Sequence, residues 1–273
     1  MNEKVHLYCD ALGRYVGVPE YPQRIVSLVS SLTETLFEIG VGDRVVGVSS
    51  YCGRYVENLA APIVGDYLYV AEDKLKEVKP DLILTTTGVQ RNLGRKLADQ
   101  GFPVFSFPLP NSLHGILENV VTLGGLVGEV KTARELASRW QRVFVEMEAG
   151  ALKPKPLVYA ECWLGRHART PGSLTFIHDL ITVAGGENIF GTECQGYLPL
   201  NLDEVIRRKP DVMILFTEPE YPLRANDLLK ERGWEGLPVI ESTVRRGENI
   251  IHDGPSMMAT ATWLKAQLLQ VLR

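Results

Sequence analysis

No stretch of roughly 18 consecutive apolar residues occurs in the chain, which excludes a membrane-spanning helix. The longest apolar runs, such as Val212-Met-Ile-Leu-Phe216, are the size of a strand. A surplus of positive charge is also missing. Lysine and arginine number 29 against 33 acidic residues, the net charge is -4 and the pI is about 5.8. That balance gives no electrostatic footing for nucleic acid as a partner. Cysteine is scarce: Cys9, Cys52, Cys162 and Cys194 are widely spaced with no CxxC, a pattern that argues against a zinc site and leaves disulfides and free thiols both open. The first ten residues lack the apolar core of a secretory leader. Two placements follow: periplasmic or membrane-associated outside the cytoplasm if a leader was removed, cytoplasmic if Met1 is the native start. The sequence has no GxSxG elbow, no Walker A loop and no HExxH, so no catalytic constellation stands out and the chain is read as a non-enzyme. Ser30-Ser31 lacks the flanking glycines of an elbow, and the glycines at 124, 125 and 128 fall inside a helical pattern rather than in a dinucleotide loop.

What is present is an ordinary globular composition, 45% hydrophobic and 23% charged over 273 residues, enough for one large domain or two lobes of about 100–150 residues each. Residues 24–29 form a short apolar strand candidate. Helical spacing follows through Leu32, Leu36 and Phe37, with Gly40 at the C-cap position. Residues 44–48 are the next strand. This rhythm builds a parallel sheet. A longer pattern then recurs. Asp73 opens a short helix that runs into Lys79-Pro80-Asp81 and an apolar strand, and Asp203 opens another that runs into Lys209-Pro210-Asp211 and its strand. Aspartate suits a helix N-terminus as cap or against the dipole, and Lys-Pro stops the helix. A second echo, Gly101-Phe-Pro-Val104 and Gly236-Leu-Pro-Val239, opens a further strand in each half. Two matches in the same order point to two related lobes.

Between the halves, apolar residues recur at Ile116, Val120, Leu123, Val127, Val130, Ala137, Trp140, Phe144 and Met147, in steps mostly of three and four, with Ser112 as N-cap. Unbroken, that helix would reach roughly 50 Å. Glycines 124, 125 and 128 make this an upper bound, and Lys153-Pro-Lys-Pro156 ends it. The expected architecture is α/β: two Rossmann-like lobes with parallel-rich sheets, residues 1–112 and 151–273, joined by one long helix at 113–150 that acts as a stiff strut.

With these motifs the chain resembles the substrate-binding proteins of ABC importers, in the class whose lobes are bridged by one long helix and whose members bind cobalamin, haem or ferric siderophores. The resemblance covers essentially the whole chain. It rests on the opening hairpin at residues 10–19, on residues 24–28, Thr33-Glu34, Gly40 and residues 42–47 in the first βαβ unit, on the two Pro-Asp strands, and on residues 184–190 in the second lobe. Within the class, residues 48–51 and 185–190 look closest to cobalamin binders. The resemblance implies a small-molecule ligand held between the lobes by aromatics: Tyr51 and Tyr67 from the first, Tyr197 from the second, with Trp163 facing the same side. One departure is visible. Where the family member carries a tryptophan after the strand ending near Leu84, this chain has Thr85-Thr86-Thr87-Gly88, so Thr86 and Thr87 are expected to hydrogen-bond the ligand or leave space for it. The resemblance also implies an ABC permease and its ATPase as partners, met by one acid on each lobe, here Asp73 and Asp203, as charge-assisted pairs with permease arginines. The chain is expected to be a monomer with no cofactor, the transported ligand being a metal-containing macrocycle or chelate.

The loop with Arg166, His167 and Arg169 collects three potential cations, of which Arg166 and Arg169 suit propionate, phosphate or catecholate oxygens. That favours a siderophore or haem as the alternative ligand. His252-Asp253-Gly-Pro-Ser256 leads into the last helix; Asp253 is a candidate ligand contact or, with Ser256, a cap. From another class, a cytoplasmic α/β enzyme on the same scaffold is the remaining alternative, supported by the missing leader and because fold does not fix function.

Overall fold

The computed structural model describes residues 4–150 and 154–271, which divide into two compact units. One holds the chain through Leu109 together with Ile116–Arg139; the other holds Pro110–Gly115 and the chain from Trp140 on. The first three residues, and Lys153 at the stop of the long helical segment, lie outside the described residues.

The first unit opens with an antiparallel hairpin, β1 (Lys4–Cys9) and β2 (Arg14–Pro19). The main sheet follows: β3 (Ile25–Ser27), α1 (Ser30–Glu38), β4 (Val45–Ser49), β5 (Ile63–Gly65), α2 (Glu72–Glu77), β6 (Leu82–Thr86), α3 (Arg91–Asp99) and β7 (Val104–Phe107). All five strands are parallel in the order β5-β4-β3-β6-β7. Every residue of β6 is buried, as expected of a parallel strand covered on both faces. Gly40 ends α1 as the spacing predicts. It sits at φ +83°, and the Gly40 and Val41 amides donate to the Phe37 and Leu36 carbonyls in a Schellman pattern.

The segment expected as one long helix is two: α4 (Leu113–Leu126) and α5 (Val130–Ala149). Ser112 caps α4 as expected, its Oγ accepting from Gly115 N at 3.0 Å. The break is at Gly128, with φ +81° and the Gly128 and Glu129 amides turned back to the Gly125 and Gly124 carbonyls, again a Schellman pattern. The turn is tight. A Cβ on Gly124 would stand 2.2 Å from the Ala133 Cβ, and one on Gly128 would stand 2.5 Å from the Tyr21 ring. The 20 residues of α5 span roughly 30 Å. The division between the units falls within α5, between Arg139 and Trp140, so the expected bridge is shared between them.

The second unit contains β8 (Leu157–Leu164), β9 (His167–Pro171), α6 (Phe176–Val183), β10 (Glu187–Asn188), β11 (Tyr197–Pro199), α7 (Leu202–Arg208), β12 (Val212–Thr217), α8 (Ala225–Arg232), β13 (Val239–Ser242) and α9 (Met257–Val271). β10, β12 and β13 run parallel to the β8 core of the sheet, while β9 folds back antiparallel on β8 and carries β11.

The Lys-Pro-Asp echo does the same structural work twice. Lys79 and Lys209 both adopt left-handed backbone, φ 44° and 50°, which ends α2 and α7. Asp81 then accepts from the Gln23 and Arg24 amides at 2.9 and 2.8 Å, and Asp211 from Leu157 N at 2.7 Å, so each pins the start of its unit's leading strand. The second echo also matches: Pro103 O accepts from Ile83 N and Pro238 O from Met213 N. One detail differs from expectation. Asp73 and Asp203 lie in the first turns of their helices, and the caps are Ala71 and Asn201; Asn201 Oδ1 accepts from Glu204 N.

Candidate functional site

In each unit the parallel strands end at one edge, where an open α/β sheet places its ligands. In the first unit the strand order reverses between β3 and β6, which marks the switch point of that edge. Gln90 fills it. Its buried amide accepts from Thr86 N and donates to the Leu28 carbonyl, each at 3.0 Å, tying the ends of the two strands together. The structure therefore buries Thr86, whose hydroxyl donates to the Phe107 carbonyl at 3.2 Å. Thr87 is half-buried, and its Oγ1 accepts from Leu109 N at 2.8 Å. The neighbouring side chains that stand out at this edge are Val89 and Leu109. Thr85 faces inward beside Gly94, fully buried, with no hydrogen-bond partner for its hydroxyl among the described residues.

Tyr51 follows β4 and lies half-buried under the Arg54 guanidinium, which stands 4.8 Å from the ring centroid in a cation–π contact. Tyr67 follows β5 in a loop braced by Asp66. Asp66 Oδ1 accepts from the amides of Leu68 and Tyr69 at 2.7 and 2.8 Å, and Asp66 N donates to the Tyr69 carbonyl. This Asx-type turn holds Tyr67, Leu68 and Tyr69 in a fixed array, with Leu68 and Tyr69 exposed.

In the second unit, Trp163 sits near the end of β8, paired with Thr217 and Ala168 and half-buried. Tyr159, Glu161 and Trp163 alternate onto one face of the strand. Glu161, 0% exposed, accepts four hydrogen bonds: from Tyr159 Oη at 2.6 Å, Trp163 Nε1 at 2.7 Å, and Arg232 Nη1 and Nη2 at 2.7 and 2.9 Å. Burial and the Glu161 charge push the Tyr159 phenol well above its usual range, and the same two causes lift the Cys162 thiol to about 12. Arg166 tops the β8–β9 turn, exposed, with its guanidinium 5.7 Å from the Tyr221 ring centroid. The turn is held by Glu218, which accepts from Gly165 N at 2.7 Å. Arg169 is half-buried in β9, and its Nη1 donates to the Ala168 carbonyl. Tyr197 begins β11 opposite Pro171. Pro199, rather than Tyr197, is level with Arg169 and Cys162, so the register places Tyr197 away from Trp163. Asp253 is half-buried before α9.

The acids expected to dock are exposed on α2 and α7, and their carboxylates make no hydrogen bond or ion pair among the described residues. Their neighbours are engaged: Glu72 with Lys96 and Gln100, both at 2.9 Å, and Glu204 with Arg207 and Arg208. All four cysteines are free, three of them buried. Cys52 Sγ accepts from the Thr33 hydroxyl at 3.1 Å and lies 3.2 Å from Ser49 Oγ, and burial raises its pKa. No group of three or more His, Cys, Asp or Glu placed to hold a metal ion occurs among the described residues. Sequence reasoning missed Gln90, Asp66, Glu161 and Arg232. Of these only Glu161 left a trace, as an acid inside an apolar strand between two aromatics.

A parallel-sheet unit present twice, with aromatic and small polar side chains gathered at the strand ends, defines a two-unit α/β binding protein. Residues 25–244 match the periplasmic binding protein family, and the chain belongs to that family. A cobalamin-binding protein of Halobacterium salinarum is 29% identical over 214 residues, which take in 75% of this chain and 57% of that relative, little more than half its length. The fold is shared with a periplasmic heme-binding protein from Roseiflexus sp. RS-1, at TM-score 0.76 and 21% identity over 92% of this chain and 99% of that one. It is shared too with a periplasmic vitamin B12 binding protein of Vibrio cholerae, at TM-score 0.70 and 19% identity over 92% of this chain and 98% of the other.

Proposed function

We propose that this chain captures a corrinoid outside the cytoplasm and as a monomer hands it unchanged to an ABC permease and its ATPase. The observation that carries the reading is that each unit holds an aromatic rigidly at its strand-end edge: Tyr67 in the loop braced by Asp66, and Trp163 tied to Glu161. Rigid aromatics offer a flat macrocycle large contact area at low entropic cost. The similarity to a cobalamin-binding protein supports this ligand. Asp73 and Asp203, exposed and unengaged, are the acids for the permease. Titration calorimetry with cyanocobalamin and with haem tests the ligand class. Binding of cyanocobalamin is the expected result, and no heat with either would sink it.

The exposed Arg166-His167 turn, with Arg169 behind it, favours a second reading in which the ligand is haem or a ferric siderophore whose anionic groups pair with the arginines. Under that reading a ferric catecholate quenches tryptophan fluorescence, and Arg166→Ala removes the quenching.

A further inference from the structure

The buried acid on β8 enters the reading above only as a hydrogen-bond partner of Trp163. A fully buried ion pair is weak evidence for stability, because apolar side chains of similar volume often serve as well or better. The residues that touch the pair belong to or border an apolar cluster: Tyr159 lies in it with Phe190, Val205, Met213 and Leu215, and Trp163 and Trp234 pack against it. The carboxylate is saturated. Oε1 accepts from Trp163 Nε1 and Arg232 Nη2, and Oε2 from Tyr159 Oη and Arg232 Nη1. Arg232 comes from the last turn of α8, and its side chain is 10% exposed. It stacks 5.3 Å from the Trp234 ring centroid, and Trp234 in turn meets Tyr159 edge-on at 6.1 Å. Every degree of freedom of the carboxylate is thus fixed from below, and the one partner that reaches toward the strand-end edge is the indole of Trp163.

We propose that Glu161, locked by Arg232 and Tyr159, is a positioning residue that sets the orientation of Trp163 for the ligand. The inference rests on the reading of Trp163 as a ligand contact. Without Glu161 the indole loses its hydrogen-bond acceptor and regains rotamer freedom, which the ligand must then remove on binding. Ordering one such side chain is a loss of about 3- to 10-fold in affinity, on the order of 0.7–1.4 kcal/mol.

The test is a double-mutant cycle on the full chain with cyanocobalamin as probe, comparing Trp163→Phe, the paired replacement Glu161→Leu with Arg232→Met, and all three together. Replacing both charges at once avoids a stranded buried ion. If the pair itself prevents folding, Glu161→Gln keeps the shape and one acceptor. The indole N–H resonances of 15N-labelled protein give a readout that needs no ligand. The expected result is threefold. The resonance absent from Trp163→Phe moves upfield when Glu161 is replaced. The replacement weakens cyanocobalamin binding by about 3- to 10-fold. It has no further effect once Trp163 is phenylalanine. An unmoved resonance, or an equal loss in the Trp163→Phe background, overturns the positioning role. If the parent binds cyanocobalamin and Trp163→Phe binds it as tightly, Trp163 is no contact; the inference then fails while the corrinoid reading stands. If the parent binds no cyanocobalamin, the reading itself fails and takes the inference with it.

Discussion

Lys79 and Lys209 hold backbone angles that an L-residue with a side chain adopts at a cost of about 1–2 kcal/mol. Glycine removes that cost but loses more freedom on folding. Lys209→Gly is therefore expected to raise the unfolding free energy by about 0.5–1 kcal/mol, read from urea denaturation. The Lys-Pro-Asp motif was legible because each of its residues acts locally: the helix stops, the chain turns and the acid caps a neighbouring strand. Glu161 and Arg232 were not legible, since 71 positions separate them and only the fold brings them together. Charge at the surface gives a second expectation. Hydrogen bonds from Arg207 and Arg208 hold the Glu204 carboxyl down at about 2, from an ordinary 4.5. A depressed carboxylate stabilises the fold fully above its unfolded pKa and loses that contribution as the pH falls through the folded one. Glu204→Gln should accordingly flatten the fall in melting temperature between pH 4.5 and about 2.

Among the elements, the loop after β5 depends on a close approach that the sequence did not reveal. A Cβ on Gly65 would stand 2.2 Å from the Tyr69 carbonyl oxygen. Gly65→Ala is expected to cost about 1–3 kcal/mol, as overpacking does, and to weaken cyanocobalamin binding by displacing Tyr67. Denaturation and titration of the same variant give both numbers; full affinity with the loop disturbed would remove Tyr67 from the ligand surface. The strands and short helices followed from apolar runs and glycine stops. The helical segment after residue 112 was harder. Its apolar period continues through Gly128, so periodicity alone joins two helices that a left-handed glycine and a contact with Tyr21 separate. Composition near the break, rather than period, carried the signal. Thr86 shows the converse limit: a small polar residue at a strand end reads as ligand-facing, and only Gln90, four residues on, shows that it is buried.

For the whole molecule, the duplicated unit was the most readable property, because repeats survive in sequence even where contacts do not. Delivery to a permease should separate cleanly from capture. With Asp73→Lys and Asp203→Lys together, cyanocobalamin affinity is expected to stay within about twofold, since both acids are exposed and neither is a proposed ligand contact. Transport through the cognate permease in reconstituted vesicles should fall at least tenfold; undiminished transport would remove both acids from the docking surface. The state of the thiols bears on how the protein can be handled. None of the four is bridged, and Cys194 alone is exposed. The fold is thus indifferent to the redox poise of its surroundings and should form equally in a reducing cytosol or an oxidising envelope. A thiol reagent should label the native protein once, at Cys194, and the denatured chain four times, which makes that position a ready anchor for an optical reporter.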